Sequence, residues 1–234
     1  MGLTASELDE LPYRVAMRDK FPQHYSAAFH FLIPNVLSVT AIATAFSFTQ
    51  NIQPLEWLML PGAFLVANLI EWWVHKGPLH HRRPGLEIAF ERHTLSHHEY
   101  FHDDSMAAAK PRDYYYVLFP VWGIFAIFVP ALPIAAAAWF AFSWNAAMLF
   151  LATAAFYFIF YEWMHLIYHL PENHPVVRAR FMQFLQRHHR LHHNKRLMQK
   201  YNFNVTFPIA DYLFGTAYRE PTRESLSGTN GARS

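Results

Sequence analysis

Four long apolar runs separated by polar segments are the main pattern along this chain. They cover residues 27–49, 55–74, 114–142 and 146–166. Each run is long enough to cross a bilayer as a helix, which takes about 20 residues. The last two runs form a hairpin broken at residues 143–145, and Pro120, Pro130 and Pro133 are expected to bend its first arm. The pattern predicts an all-α integral membrane protein with about four transmembrane helices.

The polar segments divide the chain into three parts. Residues 1–26 are polar and mixed in charge, and we read them as an N-terminal cytoplasmic segment without a signal peptide. Residues 27–218 hold the apolar runs and two histidine-rich segments, and they form the predicted membrane domain with a helical cap. Residues 219–234 are rich in Ser, Thr, Gly and Arg, which predicts a disordered tail.

The positive charges predict the orientation of the four helices. Of the nineteen Lys and Arg residues, three precede the first run, six lie in residues 76–113 and ten follow Pro171. The two connectors on the opposite side hold none. Because positively charged loops stay inside, both termini and the central loop are expected in the cytoplasm, at a bacterial inner membrane or the endoplasmic reticulum. The nearly balanced total charge excludes nucleic acid as a partner.

The histidine content is unusual and points to metal chemistry. There is no cysteine, but sixteen of the 234 residues are histidine. Disulfides, thiolate metal sites and thiol nucleophiles are thereby excluded, so any metal has to be held by imidazole or carboxylate. Neutral imidazole is the commonest protein ligand for zinc, iron and copper.

Ten of the histidines form four short motifs on the predicted cytoplasmic side. The motifs are His75 with His80, His93 with His97 and His98, His165 with His169, and His189 with His192 and His193. Residues three or four apart share one face of a helix, which explains the spacing within the last three motifs. Gly77-Pro78 is expected to end the second helix and to return His80 toward His75 across a turn. Ten imidazoles are too many for one ion, so the motifs predict two metal ions with four or five ligands each.

Two glutamates inside the apolar runs share a helix face with these motifs. Glu71 lies one turn before His75, and Glu162 lies one turn before His165. An unpaired carboxylate is costly in the membrane. We expect each to accept the free N–H of a ligand imidazole and so to fix its orientation, although a glutamate near the interface could instead reach water.

Four further histidines lie outside the four motifs and are not among the predicted metal ligands. His24 and His30 are expected to be incidental residues at the lipid headgroup level. His81 and His102 have no assigned role.

The motifs between about Val66 and Tyr218 resemble those of a known family. They are LIEWWVH at residues 69–75 followed by His80, KPRDYYYVLFP at residues 110–120, His165 with His169 and His174, the pairs His188-His189 and His192-His193, and Asn202 with DYLFGT at residues 211–216. This set is similar to the fatty acid hydroxylase and sterol desaturase superfamily of membrane di-iron enzymes, and closest to the fatty acid 2-hydroxylase branch. The HX3HH motif at His93 departs from the HX2HH that this branch usually has.

The resemblance implies an O2-dependent lipid hydroxylase with two iron ions as cofactor. A lipid from the bilayer is the implied substrate, and His174, His188 and Asn202 match family positions without a defined role. The 26 residues before the first run do not hold the cytochrome b5 domain common in eukaryotic members. A separate electron donor is therefore expected, of cytochrome b5, ferredoxin or reductase type. Zinc also binds imidazole clusters avidly and could replace iron in purified protein.

Three alternatives compete with a hydroxylase. A desaturase of a lipid or sterol-like substrate would use the same oxidant, and the residues do not distinguish the two reactions. A transition-metal transporter would place histidines near the membrane midplane, where this sequence has none. A lipid-binding relative without activity is disfavoured because no expected ligand is missing.

Overall fold

Residues 3–220 are described in the computed structural model, and within them the chain is all α-helical without a β-strand. The α-helices are α1 (Ala5–Asp9), α2 (Pro12–Ala16), α3 (Ala27–Ser47), α4 (Met59–Val74), α5 (Glu87–Arg92), α6 (His98–Tyr100), α7 (Tyr114–Val117), α8 (Gly123–Ala141), α9 (Trp144–Tyr168), α10 (Arg180–His192) and α11 (Ile209–Leu213). The predicted disordered tail falls almost wholly on residues 221–234, which lie outside this description, and it stays a prediction.

Within residues 3–220, four helices are long and apolar enough to cross a membrane, which confirms the predicted number. They are Ala27–Ser47, Glu56–Leu79, Gly123–Ala141 and Trp144–Tyr168. In α9, 67% of the residues in an apolar stretch of 18 residues are buried, against 17–22% in the other three helices. It is therefore the central helix, against which α3, α4 and α8 pack. The outer helices turn large apolar side chains such as Leu32, Val36, Phe125 and Val129 outward, as lipid contact requires.

The third span is shorter than its apolar run. Residues 114–142 were expected to form it, but the chain is extended at Leu118 and α8 begins only at Gly123. Pro120 favours a break here, because it lacks an amide hydrogen and disfavours the helical conformation at the residue before it. Side chains satisfy the backbone at this break: the Phe119 N–H donates to Glu162 at 3.2 Å, and the Phe119 carbonyl lies 2.7 Å from His30 Nε2. Pro130 and Pro133 lie inside the helix, which continues through both.

The end of the bundle farthest from the histidines is closed by polar side chains. Ser143 caps α9 by accepting a hydrogen bond from the Ala146 N–H at 3.1 Å, and its hydroxyl donates to Glu56. Glu56 also accepts from the Asn145 side chain at 2.9 Å and from the Gln53 N–H at 2.7 Å. These bonds fix the starts of the second and fourth spans relative to each other.

The opposite end carries the helical cap that the sequence predicted. It consists of the central loop with α5, α6 and α7, the amphipathic helix α10, and the chain through α11. The N-terminal segment also belongs to it, since Met17 and Phe21 share a buried apolar cluster with Tyr100, Phe101 and Tyr116. The cap thus encloses the ends of the spans on the side where the histidine motifs lie.

Candidate metal centre

Ten buried imidazoles meet in two groups at the cap. Group one consists of His75, His80, His93, His98 and His192, and group two of His97, His165, His169, His189 and His193. Within each group, one ring nitrogen from every member lies within 4.8 Å of all the others. The groups touch each other, since the ring centroids of His98 and His193 are 4.3 Å apart. All ten residues that the spacing selected are brought together here.

Two π-helical turns build most of group one. The turns are His75–Leu79 and His93–His97, and each begins at a group-one histidine whose partner lies five residues later. A π-turn contains one residue more than an α-turn, so residues i and i+5 come to lie on the same face. The first turn is kinked at Gly77, whose φ is −87° and ψ is −105°. His80 is thereby returned toward His75 across the expected turn.

Ordinary α-helical spacing builds most of group two. His165 and His169 lie four residues apart at the end of α9, and His189 and His193 lie four apart at the end of α10. His97, from the second π-turn, completes the group. These three elements converge because α10 packs against α9.

The division into groups differs in part from the motif pairs expected from sequence. The spacing predicted that His93 lies beside His97, and His189 beside His192, on one helix face. The structure assigns the two members of each of these pairs to different groups. His93 and His97 still stack, with ring centroids 5.3 Å apart. The π-turn is the reason, because it brings His98 rather than His97 under His93.

Backbone carbonyls orient five of the rings. The Nδ1 atoms pair as follows: His75 with the carbonyl of Phe203, His192 with Tyr201, His97 with Tyr116, His169 with Met106, and His193 with Phe101. A carbonyl can only accept, so each of these Nδ1 atoms carries the hydrogen. The lone pair of each ring is therefore on Nε2, the nitrogen that faces the centre of its group.

The spacing of the Nε2 atoms fits a bound transition-metal ion. In group one, Nε2 of His93 lies 2.8 Å from that of His75 and 3.1 Å from that of His98. In group two, Nε2 of His97 lies 3.0 Å from that of His193 and 3.1 Å from that of His165. In the pair of His97 and His193, where both Nδ1 atoms carry the hydrogen, two lone pairs face each other, and they repel unless a cation lies between them. Two nitrogens bound at about 2.1 Å and at right angles would lie about 3 Å apart.

A buried atom without a partner supports the same interpretation. Nε2 of His169 is buried and has no hydrogen-bond partner among residues 3–220, although its Nδ1 lies 2.8 Å from the Met106 carbonyl. Buried polar atoms are normally satisfied, because an unmet one is costly. The donor set therefore fits a metal ion that would satisfy this nitrogen.

Burial keeps the imidazoles neutral. It lowers the pKa of every group member outside the membrane-spanning helices, namely His80, His93, His97, His98, His169, His189, His192 and His193. The pKa of His97 falls to about 3 and that of His192 to about 4, although each has a carbonyl partner that opposes the shift. A neutral ring offers the lone pair that a metal needs, so the site is ready to bind near pH 7.

Glu71 does not contact an imidazole, contrary to the expectation. Its buried carboxylate accepts from the Tyr157 hydroxyl, the Thr206 hydroxyl and N–H, and the Val205 N–H. Glu162 likewise accepts from the Phe119 N–H rather than from His165. The prediction was wrong for Glu71 because the Phe203 carbonyl takes the N–H bond of His75. It was wrong for Glu162 because this carboxylate binds the backbone at Phe119, while Nδ1 of His165 has no partner within residues 3–220. The sequence does not reveal which backbone segments pass beside the rings.

Asp211 is the carboxylate that organises the last part of the cap. It accepts from the N–H groups of Phe203 and Asn204 at 3.0 and 2.8 Å, and from the Thr216 hydroxyl at 2.6 Å. His188 Nε2 also lies 3.0 Å from its Oδ2. Burial would raise the pKa of Asp211, but these hydrogen bonds outweigh it and lower the pKa to about 2.

Three residues that match family positions without a defined role lie outside both groups. His188 binds Asp211, and His174 is half-buried with only a 3.4 Å bond from the Val176 N–H to its ring. Asn202 has a positive φ of 60° and donates to the His188 carbonyl at 2.9 Å. The structure thus gives His188 and Asn202 a place in the framework around Asp211.

The remaining histidines are distributed over the rest of the cap. His24 and His81 are exposed. His30 is buried between the Tyr25 hydroxyl and the Phe119 carbonyl, so it is part of the packed structure and not the incidental residue that was expected. His102 stacks on Tyr13 with ring centroids 4.1 Å apart.

One buried charge beside the histidine groups could not be predicted from the sequence. Arg14 in α2 is completely buried, and its guanidinium donates to carbonyls of the central loop. An arginine in a polar, mixed-charge segment is ordinarily solvated, and no feature of the sequence marks this one as different.

The chain is similar to proteins that hydroxylate fatty acids. The sequence profile of the family described as fatty acid hydroxylase matches residues 60–216. A solved structure described as full-length Scs7p, with only the hydroxylase domain visible, superposes with a TM-score of 0.56 and 24% identity, covering 82% of this chain and 67% of that one. At this identity the likeness shows the fold alone. No curated protein matches the chain by sequence.

Proposed function

This chain belongs to the fatty acid hydroxylase family, and from that premise we propose that it is a membrane-bound di-iron oxygenase. The proposed reaction hydroxylates a C–H bond of a fatty acyl chain or related lipid, with O2 as the oxidant and electrons from a separate donor. Family membership makes the chain an oxidoreductase of lipids. The two irons, the use of O2 and the cytoplasmic position of the site belong to the proposal.

The observation that carries the proposal is the pair of five-imidazole groups in contact with each other. When bound there, two redox-active ions would supply the oxidising power needed to attack an unactivated C–H bond. The protein's own part is to hold ten buried imidazoles, five of which have the Nδ1 hydrogen fixed by a carbonyl and the lone pair directed to the centre of a group. Five donors in each group are one fewer than the number that a six-coordinate ion accepts, which leaves room for an exogenous ligand.

The position of the groups supports a substrate from the bilayer. His75 follows directly after α4, and His165 lies in the last turn of α9, so both groups sit where spans reach the cap. An acyl chain could remain among the apolar helices while its polar head stays at the surface. The groups themselves are buried, and the cap thereby excludes water from the reacting centre.

Metal transport fits the structure less well. The ten histidines of the two groups lie at one end of the bundle, whereas a transporter needs ligands along a path through it. The residues of the outer spans that face away from α9 are apolar and face lipid. We therefore retain transport only as an outcome that metal uptake into sealed vesicles would reveal.

Lipid analysis after expression of the full chain tests the proposal. We expect mass spectrometry of a lipid-fed, iron-replete host to show a hydroxylated product that depends on O2 and on a competent reductase. The matched control is His24→Ala, which removes an exposed histidine outside both groups and should leave product formation unchanged. An unsaturated product would establish the desaturase instead. Absence of both products under these conditions would refute the proposal.

A further inference from the structure

The proposed function does not explain why Arg14 is buried. It lies in α2, outside residues 60–216 that match the family, and its side chain is fully buried. The guanidinium donates to the carbonyls of Tyr100 at 3.2 Å and Ala107 at 3.1 Å, and also to that of Ser105. Three hydrogen bonds from one planar cation fix the course of the backbone from residue 100 to residue 107, which we call the 100–107 loop.

The same loop orients two imidazoles of group two. The Phe101 carbonyl lies 2.6 Å from Nδ1 of His193, and the Met106 carbonyl lies 2.8 Å from Nδ1 of His169. Each of these carbonyls is next in sequence to one that Arg14 holds. A displacement of the loop would therefore move the acceptors that hold these two rings.

A third imidazole of group two depends on the same N-terminal segment. Nδ1 of His97 lies 2.8 Å from the Tyr116 carbonyl, and the Tyr116 hydroxyl donates to the Met17 carbonyl at 3.1 Å. Met17 immediately follows α2. All three group-two rings that are bound to carbonyls thus rest on residues that contact the segment around Arg14.

The local surroundings hold Arg14 in place. Asp113 is also fully buried, with a carboxylate oxygen 3.9 Å from the guanidinium. It accepts from the Tyr100 hydroxyl at 2.7 Å and from the Ala109 N–H at 2.8 Å. The guanidinium lies over the Tyr100 ring, 4.9 Å from its centroid. A buried cation that is paired, stacked and hydrogen-bonded in this way has little freedom to move.

The rings of group one are oriented by carbonyls that Arg14 does not hold. These are the carbonyls of Phe203 and Tyr201, which belong to a different part of the cap, although one member of the group, His98, lies in α6, which ends at Tyr100. Within residues 3–220, the hydrogen bonds of Arg14 go to the 100–107 loop. The two groups can therefore be distinguished by experiment.

We propose that Arg14 is a positioning residue for the metal ion of group two. The N-terminal segment, which lies outside the family match, completes that half of the centre by holding the backbone that orients His97, His169 and His193. The inference rests on the proposed function for the presence of two ions. It adds that one of them depends on the N-terminal segment and the other does not.

Metal counting on purified full-length protein tests this inference. Wild-type protein loaded with ferrous iron under anaerobic conditions should hold two ions per chain, counted by mass spectrometry. In Arg14→Met, one ion should bind about 10- to 100-fold more weakly, as when an outer-shell partner is removed. Its release to the chelator ferrozine should be correspondingly faster. Arg18→Met, which removes a nearby exposed arginine bound to Asp9, is the matched control and should keep two ions.

Combination with ligand variants identifies the affected group. Adding Arg14→Met to His165→Ala, which disrupts group two, should change the iron content no further. Adding it to His80→Ala, which disrupts group one, should remove the remaining tightly bound ion. The reverse pattern would overturn the inference.

A milder variant keeps the inference testable if Arg14→Met does not fold. Tyr13→Phe removes a hydroxyl that lies 2.5 Å from Ser105 Oγ on the same loop, and it leaves no buried charge unpaired. We expect faster release of one ion from this variant. Folded variants that release both ions at the wild-type rate would overturn the role of the segment. Wild-type protein that binds no iron would instead refute the proposed function, and the two failures are thus distinguishable.

Discussion

The two histidine groups have the same donor atoms, but the protein orients them by opposite means. In group one, the orienting carbonyls belong to residues 201–206, the 201–206 segment, whose N–H groups bind two carboxylates. In group two, they belong largely to the 100–107 loop, whose other carbonyls bind a guanidinium. The 201–206 segment is held through its N–H groups, and the 100–107 loop is held through its carbonyl groups.

The details of the 201–206 segment show how this works. Asp211 accepts from the N–H groups of Phe203 and Asn204, and Glu71 accepts from those of Val205 and Thr206. Four successive amides are thereby satisfied by two buried carboxylates. The carbonyls on the other edge of the segment remain free to accept from imidazole. Charged side chains that contact no imidazole of the two groups therefore decide where these imidazoles point.

The largest expected effect comes from breaking one group at a time. His192→Ala removes a ligand of group one, and His97→Ala removes a ligand of group two. Each variant should lose one of two iron ions and all hydroxylation, since the chemistry needs both. Metal analysis and product analysis of the same preparations check this. Loss of both ions from both variants would show that the groups form a single cooperative site rather than two.

Asp211→Asn should affect group one alone. An amide nitrogen placed opposite the N–H donors of residues 203 and 204 cannot accept their bonds, and breaking such a buried charged network costs about 3 kcal/mol. We expect a lower melting temperature and a weaker ion at group one. A combination with His80→Ala checks this, because it should change the metal content no further. Loss of the group-two ion would show that the 201–206 segment and the 100–107 loop do not act independently.

The same variant has a pH signature. The pKa of Asp211 is lowered to about 2 from its ordinary value of 3.8. Its charged form therefore stabilises the fold above about pH 4, and the contribution of about 2 kcal/mol is lost as the pH falls toward 2. Melting temperatures of wild-type protein and Asp211→Asn, measured from pH 7 to pH 3, should converge at the acid end.

Acidification of the metal-free protein tests a property that the groups share. Since burial lowers the pKa of His97 to about 3 and that of His192 to about 4, the unfolded chain binds more protons than the fold below about pH 6.5. Each such histidine destabilises the fold by up to about 1.4 kcal/mol per pH unit of acidification below that value. Thermal melts of the metal-free protein at pH 7.5 and 5.5 should show a marked loss of stability at the lower pH. An unchanged melting temperature would indicate that the rings take up protons in the fold as readily as in the unfolded chain.

The smallest effect is expected at the surface. Lys195 and Glu99 form a 3.0 Å ion pair between the chain after α10 and α6, next to both groups, but both side chains are about half exposed. Exposed pairs contribute about 0–1 kcal/mol. Lys195→Met should leave the iron content at two and shift the melting temperature little. A lost ion in this variant would mean that the groups depend on surface contacts as well as on buried backbone.

Much of this architecture could be predicted from the sequence. The four spans follow from apolar length, and the ten clustered imidazoles follow from histidine spacing, because both signals are local. The division into groups could not be predicted, since it depends on π-turns at His75 and His93 that look like ordinary helix in the sequence. The partners of Glu71 and Arg14 were also hidden, because they lie more than eighty residues away in the sequence.

In each of the dipeptides His97-His98 and His192-His193, one histidine belongs to group one and the other to group two. The α-carbons of neighbouring residues are always about 3.8 Å apart, so these two dipeptides act as fixed spacers between the ion positions. A codon inserted within either dipeptide would lengthen one spacer and leave the other unchanged. Length changes there should therefore be far less tolerated than amino-acid substitutions at the exposed positions beside them, and a library of in-frame insertions would show a gap at both dipeptides.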